Sequence, residues 1–436
     1  MVSVGAILAP AVHATDLEGE IQSLVANHPQ VGAAREGVES ADAGIRAARS
    51  QYYPQAHVTA GAGPEHFNNS SILQSNTHPL FFPYGYQAGL TVTQHLYDAN
   101  ATNSAVDAAI DTKSVSESTL RLTRQTTILE GVSAYLDVLH QNQLVKLARS
   151  DEQRLQTQLH LEDERVQRGS GVAVDVLAAK HRLQLAKERR VGYEGGLEQA
   201  IDKFEQVFGH GPDDLGDRVP EPPAAMVPAT LDEAQRVALS ENPSVEGAKR
   251  TVTLTGEKVV SARSGYFPTV DLVGKVDRAH DRDSIVGGSR DWEVLLQLNW
   301  DLFNGFRTQA QVSQAAHDLS ASKDGARQAE RKASEAVRLA WSQVQTARER
   351  VTILDNAVNL AYDVWDSRKK MRESGKATVI DVLDAETDIT NAQITYLSAM
   401  FDRKTATYQL LFSLGRLEAG NLDQPAGSAA PEPAAK

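Results

Sequence analysis

Asp381 and Asp384 stand three residues apart, so on a helix their carboxylates share one face. Such a pair can exchange protons, hold a cation, or accept hydrogen bonds from the free N–H groups at a helix start. Their setting favours the last role over catalysis. They follow the turn Ser374-Gly375-Lys376-Ala377. Gly375 can close one helix in the left-handed conformation, and Thr378 can cap the next. Asp381 then serves as a short stand-in for the glutamate of a capping box. His280-Asp281-Arg282-Asp283 has metal-binding side chains, but it falls at an expected hairpin turn and reads as a solvated loop. The twelve histidines are otherwise scattered. With no phosphate loop, no metal-spaced histidine pair on one helix and no cysteine nucleophile, the chain offers no catalytic constellation. No enzyme, cofactor or metal site is expected.

Composition narrows the partners. A formal charge of −13 makes nucleic acid a poor ligand, because phosphate binding needs a basic face. The absence of cysteine excludes disulfides, thiolate metal sites and a lipid-modified N-terminal cysteine. No apolar run is long enough for a membrane-spanning helix. Val2 to Ala11 is apolar and small, and Val12-His13-Ala14 has the form of a signal-peptidase site. A signal peptide over 1–14 is therefore expected, although its usual basic start is missing.

The turn at Gly375 has a twin. Arg168-Gly169-Ser170-Gly171-Val172-Ala173-Val174-Asp175-Val176-Leu177 repeats it, with Gly169 and Asp175 each 206 residues before Gly375 and Asp381. The same offset relates Phe208-Gly209 to Leu414-Gly415 and Leu96-Tyr97-Asp98-Ala99 to Leu302-Phe303-Asn304-Gly305. Ser50-Gln51-Tyr52-Tyr53-Pro54 answers Ser264-Gly265-Tyr266-Phe267-Pro268 at an offset of 214, so the first half carries an insert between Pro54 and Leu96. One architecture is thus built from two halves: a first repeat over 15–209, a connector over 210–230, a second repeat over 231–415, and a disordered Ala/Gly/Pro tail over 416–436.

Each half reads helix, strand pair, long helix, return helix. The helices expected first are Asp16 to Gln51 and Leu231 to Ser264. The long ones, Asp98 to Arg168 and Asn304 to Ser374, contain no proline. At about 70 residues each they would run roughly 105 Å, matched by the two shorter helices of their half stacked end to end. The return helices are Val172 to Phe208 and Thr378 to Leu414. Ala385, Ala392, Ala399 and Ala406 recur every seven residues, as Ala179, Ala186 and Ala200 do in the first half. This spacing marks a seam where helices approach closely.

The strands are Val58 to Gly63, Tyr86 to Thr93, Val270 to Asp277 and Trp292 to Trp300. In the last three, apolar residues alternate with polar ones, Leu295 being the exception. Trp292 and Trp300 mark the ends of one strand, where membrane-interface aromatics belong. Four strands are too few for a membrane barrel, which needs about eight, and open edges are forbidden in lipid. Three chains would supply twelve. A small soluble sheet packed on the helices is the alternative, and a structural periplasmic coiled-coil protein would explain the helices but not the strands.

These features in this order resemble the TolC family of outer-membrane channel proteins. The resemblance rests on Tyr-Tyr-Pro and Tyr-Phe-Pro at the strand entries, Leu302-Phe303-Asn304-Gly305 after the last strand, and Gly-x5-Asp-Val-Leu-x-Ala at the turns, and it covers about Asp16 to Gly415. It implies a mainly α fold with a small β part. Duplicated long antiparallel helices would form a periplasmic helical barrel, and four strands per chain would join a trimeric twelve-stranded transmembrane β-barrel in the outer membrane. It further implies a passive exit duct for drugs or metals, docked through a periplasmic adaptor to an inner-membrane pump or ABC transporter. Type I protein secretion is the alternative cargo. Asp175, Asp381 and Asp384 match the carboxylates of the periplasmic mouth. The hairpin tips, with Arg168, Gly169, Val172, Gly375, Thr378 and Leu383, match the adaptor contact. The family's Tyr and Arg latch is replaced here by Arg372 and Ala377, so its closing contacts must differ. A contact of Arg372 with Asp175 is the candidate.

Overall fold

The computed structural model describes residues 17–67, 80–169, 172–212, 219–282, 285–420 and 422–423. The expected signal peptide, Ser170-Gly171 and Asp283 lie outside these. In order, the elements are α1 (Leu17–Asn27), α2 (Pro29–Arg49), β1 (Gln55–Phe67), β2 (Leu80–Tyr97), α3 (Ala101–Gln167), α4 (Ala173–Phe208), α5 (Leu231–Glu241), α6 (Pro243–Ser264), β3 (Thr269–Arg282), β4 (Ile285–Asn299), α7 (Arg307–Glu373) and α8 (Val379–Leu414). The duplication is visible in the lengths. α3 and α7 each have 67 residues, and α4 and α8 each have 36.

The helix boundaries follow local chemistry. Asp98 accepts the Thr102 N–H at 2.6 Å at the start of α3. Asn304, its equivalent in the second half, donates to the Thr308 hydroxyl at 2.6 Å at the start of α7. The helix expected over Leu231 to Ser264 is divided. Pro243 removes an N–H, and Asn242 turns out of the helix, donating to Ser413 O at 2.9 Å and accepting from Ser244 N at 2.9 Å. The strands run longer than the alternation indicates. The hairpin turn expected at His280-Asp281-Arg282-Asp283 falls largely on strand, since β3 runs to Arg282 and β4 begins at Ile285.

The chain divides into two compact units. One is built from Met1–Ala34, Thr119–Val245 and Glu330–Lys436. Its core gathers Leu17, Ile21 and Leu24 of α1 with Tyr135, Leu136 and Leu139 of α3, Phe204 of α4 and Tyr408 of α8. Leu417 and Leu422 are fully buried in this core, and the Tyr408 hydroxyl donates to Leu422 O at 2.6 Å. Packed chain therefore extends past Gly415, where a disordered tail was expected to begin. The heptad alanines form most of the close-packed seam expected, with Ala179, Ala186, Ala200, Ala385, Ala399 and Ala406 buried and Ala392 only half-buried. The connector is clasped by Lys404, whose buried ammonium donates to Pro220 O at 3.0 Å and to Glu221 at 2.5 Å. Burial pushes the Lys404 amine below its ordinary range.

The repeat supplies a paired test of this core. Gly209 and Gly415 end α4 and α8 with nearly the same left-handed φ, +81° and +82°. A Cβ at Gly209 would meet nothing within 4 Å, whereas one at Gly415 would lie 2.7 Å from Glu241 O and 2.8 Å from Asn242 Cα. Alanine at Gly209 should cost only the left-handed strain, about 1–2 kcal/mol. Alanine at Gly415 should cost distinctly more, because backbone must move. Thermal denaturation of the two variants checks this, and equal midpoints would contradict the packing.

The other unit, Arg35–Ser118 with Glu246–Ala329, holds a four-stranded antiparallel sheet in the order β1-β2-β3-β4.

Candidate channel surfaces

The sheet sorts its side chains by register. Ala56, Val58 and Ala60 of β1 pair with Val92, Leu90 and Ala88 of β2. Val92 and Leu90 pair in turn with Gly274 and Val276 of β3. Gly274, Leu272 and Val270 pair with Val294, Leu296 and Leu298 of β4. Paired residues project to the same side, so these positions form one continuous apolar face. Val58, Val276, Val294, Leu296 and Leu298 are exposed on it in the single chain. Trp292, 79% exposed, ends this face toward the β3–β4 turn. Trp300 lies at the helix end, its indole donating to Tyr266 O at 3.1 Å. The opposite face carries His57, Thr91, Lys275 and Glu293 in one row. Lys275 lies 3.3 Å from Glu293. The exception at Leu295 has a local cause: it pairs with the buried Val273 on the polar side.

The other surface is formed by the two helical turns. Gly169 (φ +76°) and Gly375 (φ +73°) both adopt the left-handed conformation that their position demands. After Gly375, Lys376 N donates to Met371 O at 2.8 Å, closing α7. Thr378 and Asp381 form the expected capping box. Asp381 accepts from Thr378 N at 2.8 Å and from its hydroxyl at 2.7 Å, and returns its N–H to that hydroxyl at 3.2 Å. The first hairpin has Val172 at the equivalent place and no side-chain cap. The Thr378 N–H holds the Asp381 carboxyl below the usual range, aided by its hydroxyl and by Arg368. This cap is complete above the ordinary carboxylate pKa and is lost as pH falls through the depressed value.

Ion pairs tie the hairpins together in ways the sequence reading missed. Asp384 accepts a hydrogen bond from Arg182 of α4, which also donates to Thr387 at 2.8 Å. Asp381 has Arg368 at 3.6 Å. Asp175 pairs with no cation among the described residues. Arg372 does not reach Asp175, the contact suggested for it. It pairs instead with Glu162 of α3, which Arg165 (3.1 Å) and Gln158 (3.0 Å) also engage. The Glu162 side chain is only 3% exposed, so its charge requires these partners. Arg168, on the tip, pairs with Glu164 at 2.9 Å.

Leu383 corrects a second expectation. It is fully buried with Leu155, Ala179, Leu183, Ala186 and Val379, and cannot offer a contact at the tip. Its counterpart Leu177 is 65% exposed, and Val172 and Val174 are exposed beside it. One face of each return helix must bury its apolar residues against the other hairpin, and the two halves resolve this differently. Among the described residues no cluster of potential ligands could hold a metal ion.

The comparisons with known proteins fit this geometry. The family model "Outer membrane efflux protein" matches residues 21–210 and 235–416. The chain is 26% identical over 420 residues to the outer membrane efflux protein BepC of Brucella suis biovar 1, covering 95% of this chain and 89% of the relative. It is 23% identical over 344 residues to the alkaline protease secretion protein AprF of Pseudomonas aeruginosa, covering 78% and 71%. A crystal structure of CusC superposes with a TM-score of 0.80 at 17% identity, covering 91% of each chain, and shares the fold.

Proposed function

Because this chain belongs to the outer membrane efflux protein family, whose members are outer-membrane channels rather than enzymes, we propose that three copies form the exit duct of a tripartite export system. The observation that carries this is the sheet. It has one predominantly apolar face, with Gln94 within it and Arg278 and Arg290 toward the β3–β4 turn, and two unpaired edges, β1 and β4. Lipid tolerates the face but not the edges. Joining β4 of one copy to β1 of the next removes every edge, and three copies reach the twelve strands of a closed barrel. Conduction is passive, with energy supplied by an inner-membrane pump or ABC transporter reached through a periplasmic adaptor. The exposed Val172, Val174 and Leu177 suit the adaptor contact. Membrane fractionation tests the placement. A duct sediments with outer membranes and needs detergent for release, whereas a periplasmic coiled-coil scaffold would stay soluble.

Small-molecule efflux is the first reading of the cargo, and the likeness to BepC, an outer membrane efflux protein, supports an efflux role. The likeness to AprF supports a second, type I protein secretion. Deletion of the gene separates them: sensitivity to drugs or metals follows from the first, and loss of a secreted protein from the second.

Asp175, Asp381 and Asp384 are assigned to the periplasmic mouth. Repeated in three copies, these carboxylates would favour cations, and low-dielectric walls strengthen the effect. Arg182 and Arg368 offset part of that charge. Asp381→Ala with Asp384→Ala should therefore weaken cation preference and block by a trivalent cation, while Arg182→Gln should strengthen both. Planar-bilayer recordings with the cation added on each side in turn decide the matter. Unchanged preference and block in both variants would remove these groups from the pore.

A further inference from the structure

The apolar face of the sheet carries charge of one sign only. At the next pair on that face beyond Val276 and Trp292, toward the β3–β4 turn, Arg278 stands directly opposite Arg290. Both side chains are exposed, and neither is ion-paired among the described residues. The acids of β3 and β4 within the paired region, Asp271, Asp277, Asp291 and Glu293, have the opposite parity and project to the polar side. Lys275 projects there too and is paired with Glu293. Asp281, three residues past Arg278 in β3, is engaged with Gly287 N at 2.7 Å and His280 at 3.2 Å. The Tyr86 and His280 rings stack at the next pair on the same side, with centroids 5.3 Å apart.

Like charges directly opposed on antiparallel strands destabilise the pair unless something neutralises them. Here no acid in the paired region of β3 and β4 is on the same face among the described residues, in a chain whose formal charge is −13. Trp292 fixes the level, because interfacial tryptophans sit at the lipid headgroups. The two guanidiniums thus lie just outside the apolar band, at the height of headgroup phosphates. Guanidinium is the side chain best matched to phosphate, through paired parallel hydrogen bonds.

We propose that Arg278 and Arg290 form an outward-facing site for the phosphate of an outer-leaflet lipid headgroup. The site rests on the lipid-facing reading of this side of the sheet. Native mass spectrometry of the full detergent-extracted protein tests it, with bisphosphorylated lipid A, its dephosphorylated form and inorganic phosphate as probes. The wild type and Lys275→Gln should retain the bisphosphorylated lipid and not the dephosphorylated one. Retention should fall at least tenfold in Arg278→Gln/Arg290→Gln, and excess inorganic phosphate should displace little. The single variants, expected to be intermediate, keep the test open if the double variant fails to assemble. Equal lipid retention by wild type and the arginine variants would overturn the site, as would displacement by inorganic phosphate, which would mark a free-anion site. The same spectra report assembly. Intact trimers without lipid overturn only this site, whereas monomers overturn the lipid-facing reading beneath it.

Discussion

Leu296→Arg should abolish assembly of the duct, while Gln297→Arg should leave it intact. The two residues are neighbours in β4 and project to opposite faces. Leu296 pairs with Leu272 in the middle of the apolar face, and Gln297 pairs with Asp271 on the polar one. An arginine facing lipid near the bilayer midplane costs about 2–4 kcal/mol, and every copy in the barrel carries it. Three such costs rival the whole stability of an ordinary domain, about 5–15 kcal/mol. At position 297 the same guanidinium would meet Asp271, a carboxylate that already engages His95 at 2.6 Å and Asn299 at 3.3 Å. Detergent extraction followed by size analysis checks both variants. Equal defects would mean that the assignment of faces is wrong.

The second large effect is expected at the hairpins. Arg372→Ala should raise single-channel conductance and lower thermal stability, because it removes one of three partners from the buried Glu162 carboxylate. Arg165 and Gln158 remain, so the cost should be about 1–3 kcal/mol, less than that of a fully orphaned charge. Arg372→Lys should recover part of both properties, since ammonium keeps the charge but not the planar geometry. Conductance and melting that match the wild type would show that the Arg372–Glu162 pair holds nothing closed.

Much of this was legible in the sequence, for reasons that can be named. The repeat offset placed Gly169 against Gly375 and Gly209 against Gly415, and all four are left-handed. The capping box at Thr378 and Asp381 is local chemistry, readable within four residues. Strand faces were legible because pleating has a fixed period of two. The contacts between hairpins were not. Arg372 is 210 residues from Glu162, and Arg182 is 202 residues from Asp384. No local period links such positions. A weak signal did exist. At the repeat offset of 206, Glu162 corresponds to Arg368 and Arg182 to Asp388, so charge reverses between the halves at these places. Such reversal is what two packed, diverged copies require. The burial of Leu383 against the exposure of Leu177 was hidden for a related reason, since identical motifs face different neighbours once the halves pack unequally.

A closed barrel fixes the number of chains in the membrane-extracted particle. Chemical cross-linking of the wild-type protein in mild detergent, read by mass, measures it directly. The ladder should end at three chains, because twelve strands close the barrel and leave no edge to extend. A ladder ending at one or two chains would rule out the trimeric barrel, since the edges of β1 and β4 would then stand open in lipid.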